Sequence, residues 1–193
     1  MSLTVEKRQL LNIFQSEGNI VCNRIIICGG NGAGKSTLGK ALAKELAWEF
    51  KDIEEYYFPA DVSDYNYEKA RTREEVATLL LGDMKKYNDL IVASVKGNYG
   101  KEVESMFTCA ILISVSKETR LQRVRSRSYQ KFGDRMLKGG DLYEKENRFF
   151  DMVEQRSEKD VIEWLNSVDI PIIRVDGNQP IERNVQTIKA LLI

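Results

Sequence analysis

Histidine is absent from this 193-residue chain. Without an imidazole there is no histidine base, nucleophile or metal ligand, which excludes Ser-His-Asp hydrolysis and His-ligated zinc catalysis. Cysteine is scarce as well: Cys22, Cys28 and Cys109 are odd in number and widely spaced, and two of them sit in apolar runs. That pattern favours reduced, buried thiols in a cytoplasm over a disulfide framework or a metal site. Only three prolines occur, which argues against long disordered tracts. No apolar run approaches the roughly 18–20 residues of a membrane span. The start, Met1 to Arg8, carries Glu6 and has no apolar core behind it, so no signal peptide is expected. An excess of either charge is missing too, with Lys+Arg and Asp+Glu at 29 each. Any attraction for phosphate must then come from local clustering.

What is present is the composition of an ordinary soluble domain, 42% apolar and 30% charged, long enough to bury a sizeable core. Strands are expected at Arg24–Cys28, Phe50–Ile53, Leu90–Ser94, Cys109–Val115 and Ile170–Val175. Several are nearly continuous runs of Ile, Val and Leu, as in parallel strands buried on both faces. Amphipathic helices are expected over Lys35–Ala47, Thr72–Tyr87, a stretch after Ser116, and Ile181–Leu192. The second opens with Thr72-Arg73-Glu74-Glu75, a capping-box pattern. This alternation predicts a doubly wound, three-layer α/β domain on a five-stranded parallel sheet, spanning residues 24–193. Residues 1–23 read as an amphipathic segment packed against it.

The decisive segment is Gly29-Gly30-Asn31-Gly32-Ala33-Gly34-Lys35-Ser36, followed by Thr37. It fits the pattern of glycine, four residues, then glycine-lysine-serine, a phosphate-binding loop. Glycines let the backbone turn tightly and aim successive amides at phosphate oxygens, and the following helix adds its positive dipole end. Lys35 is positioned to reach the β- and γ-phosphates, and the Ser36 hydroxyl to ligate magnesium. A plain glycine-rich turn is the alternative, but average residue frequencies give such a match in fewer than about one chain of this length in a hundred. A strand before the loop and a helix after it complete the context.

Three further features bear on what happens at the γ-phosphate. Asp52 and Glu54 stand two residues apart at the end of the second strand, beside the ligand crevice of a parallel sheet. One of them could hold metal-bound water or accept a proton; a solvated acidic turn is the alternative. Next, Arg120, Arg123 and Arg127 recur at three and four residues and share a helical face, with Leu121 and Val124 expected to anchor the opposite side. Guanidiniums so placed suit a triphosphate, whose spread charge arginine stabilises well. Finally, Lys131 to Asp141 holds three glycines among basic residues, as a mobile cationic lid needs.

The layout from Arg24 onward resembles the P-loop kinases of the adenylate kinase, shikimate kinase and gluconate kinase type. Leu46 to Glu54 is similar to the shikimate kinase stretch that ends in an acidic pair; the likeness implies Asp52 near magnesium and Glu54 on the acceptor. Arg123 to Arg127 resembles the start of the adenylate kinase lid (about 120–145 here). It implies that Arg123 stacks near the adenine and Arg127 reaches the phosphates. Val175 to Pro180, with Asp176, resembles the turn that borders the adenine. Arg71 and Arg73 fall where adenylate kinases hold the acceptor nucleotide, within an acceptor region of about 55–87. Tyr56, Tyr57, Phe58, Tyr65 and Tyr67 crowd that region and would suit an aromatic or sugar-bearing acceptor, although core packing is the commoner use of such residues.

The departures matter as well. Where shikimate kinases carry three glycines after the third strand, Val95-Lys96-Gly97 stands here, which disfavours shikimate. Lys96 could instead meet an anionic acceptor. No Asn-Lys-x-Asp motif occurs, which disfavours a GTPase. The expectation is an ATP- and Mg2+-dependent transfer to a small-molecule hydroxyl or phosphate, in a cytoplasmic protein that meets no membrane. Lys35, Asp52, Arg123 and Arg127 are the expected catalytic groups, with Arg135 closing over the site. A non-catalytic nucleotide-binding regulator and a nucleic-acid 5′-hydroxyl kinase are the rivals, the latter disfavoured by zero net charge.

Overall fold

A computed structural model describes residues 22–58 and 70–192. Residues 1–21 of the expected N-terminal segment (1–23) and the aromatic Tyr65 and Tyr67 lie outside the described residues. The strand β1 (Arg24–Cys28) is the centre of the molecule because Ile25, Ile26, Ile27 and Cys28 are fully buried and the pleat sends them to opposite faces. Burying each isoleucine contributes about 1.5–3 kcal/mol relative to exposure. Around β1 lie β2 (Glu49–Asp52), β3 (Leu90–Ala93), β4 (Cys109–Ser114) and β5 (Ile172–Asp176). Their order is β2-β3-β1-β4-β5, and every pairing is parallel.

Helices cover both faces, the expected three-layer arrangement. On one face α1 (Lys35–Leu46) and the last helix, α8 (Ile181–Lys189), bury Leu38, Leu42, Val185 and Ile188 against Ile25, Ile27, Ile111 and Ile173. Between these two in sequence come α2 (Ile53–Tyr57), α3 (Arg73–Lys86), α4 (Lys101–Glu104), α5 (Lys117–Phe132), α6 (Tyr143–Gln155) and α7 (Lys159–Ser167). The other face carries α3 and α7, whose Leu80, Met84, Trp164 and Leu165 pack on Ile26, Val92 and Leu112. A small apolar seam of Val124, Phe150 and Val153 joins α5 to α6. Among the described residues, no helix is long and apolar enough to cross a membrane.

The capping box forms as expected: Glu75 N–H donates to Thr72 Oγ1 at 3.2 Å and Thr72 N–H donates to Glu75 Oε2 at 2.8 Å. Strand ends shift by one or two residues. The last strand begins at Ile172 rather than Ile170, since Pro171 has no N–H for the ladder and contributes only its carbonyl, which accepts from Ala110 N–H. The expected lid loop is shorter than the glycine pattern implied. The helix α5 continues to Phe132, one 3-10 turn follows at Gly133–Met136, and α6 starts at Tyr143.

One expectation about α5 needs correcting. Val124 is not opposite the arginines. It is buried on the same inward face as Arg120, because a four-residue step returns a helix to within about 40° of the same direction.

Candidate active site

The loop between β1 and α1 lies at the carboxyl end of the central strand, where the chain crosses from β1 to α1 and the flanking strands leave a crevice. Its shape depends on glycine at two points above all. Gly32 sits at φ +81°, and a Cβ there would come within 2.3 Å of the Arg120 carbonyl oxygen. Gly34 caps α1 in the left-handed region, at φ 101°. No side chain among the described residues caps that helix, and its first turn holds no acidic residue, so its free amides face outward for an anion. Lys35 Nζ donates to the Gly30 carbonyl at 3.0 Å, folded back along the loop. Burial lowers its pKa to about 8, against the pull of Glu54 and Asp52, which face it together with Cys28; Arg127 lowers it further.

The second and third strands deliver the neighbouring groups. Asp52 ends β2 and caps α2, its Oδ1 accepting from Glu54 N–H at 3.0 Å. At the end of β3 the buried Ser94 hydroxyl donates to the Lys96 carbonyl at 2.8 Å and lies 3.1 Å from the Tyr99 hydroxyl. Arg73, at the start of α3, donates to the Asn98 carbonyl and lies 5.9 Å from the Tyr99 ring.

A cavity of about 950 Å³ joins these pieces. Gly30, Asn31, Gly32, Gly34, Lys35, Ser36 and Thr37 line it from the loop and the start of α1, and Asp52, Glu54, Arg73 and Lys96 from the end of β2, the segments that follow β2 and β3, and the start of α3. Arg123 and Arg127 overhang it from α5. Eight basic side chains line the cavity against four acidic ones, so a chain of zero net charge concentrates positive charge here.

Other residues singled out from the sequence stand outside this cavity. Gly29 and Ala33 are buried beneath the loop, with Gly29 N–H donating to the Val95 carbonyl at 3.3 Å. Arg71 donates to the Tyr56 carbonyl at 2.7 Å, tying α2 to the start of α3. Arg135 is held by Asp141 through two contacts of 3.0 and 2.7 Å. Asp176 turns into its own loop, accepting from Asn178 N–H at 2.8 Å, and that bond holds its carboxyl below the ordinary range. The adjacent Gly177 carbonyl accepts from Arg123 at 3.1 Å, so Arg123 and this turn do meet.

The arginine trio of α5 divides in the fold. Arg120 is only 4% exposed, lies against Gly30, and pairs with Glu158 at 3.2 Å. It borders the cavity where it braces the phosphate loop, while Arg123 and Arg127 line the cavity without an acidic partner among the ion pairs of the described residues. Sequence reasoning missed the far wall: Arg148, Met152 and Arg156 line the cavity from α6 and the residue after it. Arg156 Nη1 donates to the Asn31 side-chain carbonyl at 2.9 Å. A signal existed, since residues 148, 152 and 156 recur every four positions on one helical face.

Comparison with known proteins agrees with this fold. Residues 25–151 match a family described as an AAA domain. A Bacillus subtilis (strain 168) protein, "Uncharacterized protein YqaC", is 26% identical over 172 residues, 85% of this chain and 94% of the relative. Shikimate kinase from Aquifex aeolicus superposes with a TM-score of 0.52 at 22% identity, covering 88% of this chain and 95% of that one. A gluconokinase from Sinorhizobium meliloti 1021 does so with a TM-score of 0.51 at 14% identity, covering 89% and 92%. Matched along most of its sheet and its phosphate loop, the chain belongs to this AAA-domain family, on the fold of the P-loop small-molecule kinases.

Proposed function

We propose that this protein transfers the γ-phosphoryl group of ATP, with magnesium, to a hydroxyl or phosphate group of a small molecule. The observation that carries this reading is one continuous cavity lined both by the phosphate loop and by residues at the ends of β2 and β3. In this reading the cavity holds a donor triphosphate and an acceptor together, with Lys35 in its wall. A cavity of about 950 Å³ is at the upper end of the range for small-molecule sites, as two ligands require.

The donor set fits the metal. Among the described residues no cluster of three or more His, Cys, Asp or Glu could hold an ion alone. The Ser36 hydroxyl and the Asp52 carboxylate at one cavity instead suit an octahedral cation that keeps phosphate and water ligands. When bound, magnesium would neutralise charge on the β- and γ-phosphates.

The chain's own groups do the rest. The loop amides and the Lys35 ammonium hold the triphosphate, and Arg127 with Arg123 face the charge that spreads over the transferring group. Asp52 orients the acceptor or takes its proton, and Glu54, Arg73 and Lys96 surround the acceptor's remaining groups. Positioning supplies much of the rate, as in phosphoryl transfer generally. Val95-Lys96-Gly97 puts a cation where shikimate kinases carry glycine, which favours an acceptor other than shikimate.

The test is a coupled ADP-release assay with ATP and magnesium across nucleoside monophosphates, nucleosides, sugars and hydroxy acids. Release stimulated by one acceptor class and lost in Lys35→Ala supports the reading. ATP binding with no stimulated turnover across the panel favours a nucleotide-binding regulator.

A further inference from the structure

Two of the three cysteines meet on the far side of the sheet from the acceptor pocket. Cys22 precedes β1 and Cys109 opens β4, in strands whose register pairs Ile25 with Cys109. Thr108 draws the two backbones together: its Oγ1 accepts from Asn23 N–H and from Arg24 N–H, each at 3.0 Å. Its own N–H donates to the Arg24 carbonyl at 2.9 Å. The Cys22 sulfur consequently lies 3.9 Å from the Thr108 carbonyl oxygen, one peptide from Cys109. Both side chains pack into the same apolar cluster, on the α1 and α8 side of the sheet.

We propose that Cys22 and Cys109 form a redox pair, which a hydroperoxide converts to an intramolecular disulfide that fastens the chain before β1 to β4. The roles follow from exposure and contact. Cys22 is partly exposed, whereas Cys109 is buried. The Cys109 thiol, within hydrogen-bonding reach, holds Cys22 below the ordinary thiol range, and that same contact together with burial pushes Cys109 up. Cys22 is therefore the thiolate that attacks and Cys109 the thiol that resolves. In the first step the Cys22 sulfur attacks an oxygen of hydrogen peroxide, the O–O bond breaks, and water leaves Cys22 sulfenic acid. In the second the Cys109 sulfur attacks the Cys22 sulfur, and the hydroxide it displaces leaves with the thiol proton as a second water. The thiols give up two electrons and two protons, and the peroxide takes them. Cys28, buried in the other apolar layer and pushed up by that burial, serves as an internal control.

The experiment treats the folded full chain with hydrogen peroxide and follows intact mass and non-reducing peptide maps. The expected result is loss of two hydrogen atoms and one cross-linked peptide pair carrying Cys22 and Cys109. Dithiothreitol should reverse it, and Cys28 should remain alkylatable after unfolding. In Cys109→Ala the cross-link should vanish and Cys22 should be trapped by dimedone as the sulfenic acid. Should that variant not fold, Cys22→Ser at the half-exposed position replaces it; Cys109 should then stay unreacted under the same dose. Three results would overturn the proposal: Cys22 oxidised while Cys109 stays free, a cross-link through Cys28, or Cys109 oxidised in the absence of Cys22.

Discussion

Lys35 ties nucleotide binding to pH in a direction that its surroundings fix. In the free protein its pKa lies at about 8, because burial disfavours the ammonium more than Glu54 and Asp52 favour it. A bound triphosphate places several negative charges beside Nζ and raises that value toward the ordinary 10.5 or beyond. The bound form thus holds the proton more tightly than the free form. Affinity is full below the free-state value and falls as pH rises through it, with a proton taken up on binding. One unit above about 8 only about a tenth of the free protein carries the charge, so nucleotide affinity at about pH 9 should be roughly tenfold weaker than at pH 7. Isothermal titration with magnesium and ATP gives the affinity, and two buffers of different ionisation enthalpy give the proton count. Lys35→Met removes the titrating group and should flatten the profile at a much weaker level. A wild-type affinity unchanged from pH 7 to about pH 9.5, or the same slope in Lys35→Met, would refute the placement of Lys35 against the phosphates.

Other outcomes follow from single contacts. Arg127→Ala should lower turnover on the order of 10²–10³-fold while nucleotide affinity falls far less, because in the proposed reaction its charge would meet the transferring group; equal losses in steady-state kinetics would count against that role. Gly32→Ala should destabilise the fold by about 1–3 kcal/mol from the positive φ alone and abolish nucleotide binding, since the new Cβ meets the Arg120 carbonyl at 2.3 Å. Thr72→Ala should cost about 0.5–2 kcal/mol in urea unfolding by removing the acceptor for Glu75 N–H, with turnover unchanged at saturating acceptor.

The parts of the fold that local chemistry dictates were legible in the sequence. The isoleucine run of β1, the glycine loop, and the apolar face of α1 can form little else together, and the Thr72 and Glu75 pair announces its own helix start. The ends of β2 and β3 could be placed beside the loop because a parallel sheet brings its carboxyl ends together. The helices α6 and α7 were missed because the glycines before them read as a continuing loop and their apolar residues are separated by many charges. The division of labour among the α5 arginines was not readable, since it depends on Glu158, thirty-eight positions beyond Arg120. The bond from Arg156 to Asn31 spans 125 residues, and no local pattern encodes it.

In the proposed reaction the γ-phosphoryl group leaves ATP for another molecule. The most direct measurement supplies ATP radiolabelled at that group, with magnesium and the acceptor panel, and follows where the label goes. Label in an organic phosphate ester or anhydride, absent with Lys35→Ala, is the expected result. Label found only in ATP and inorganic phosphate, whatever the acceptor, would contradict it.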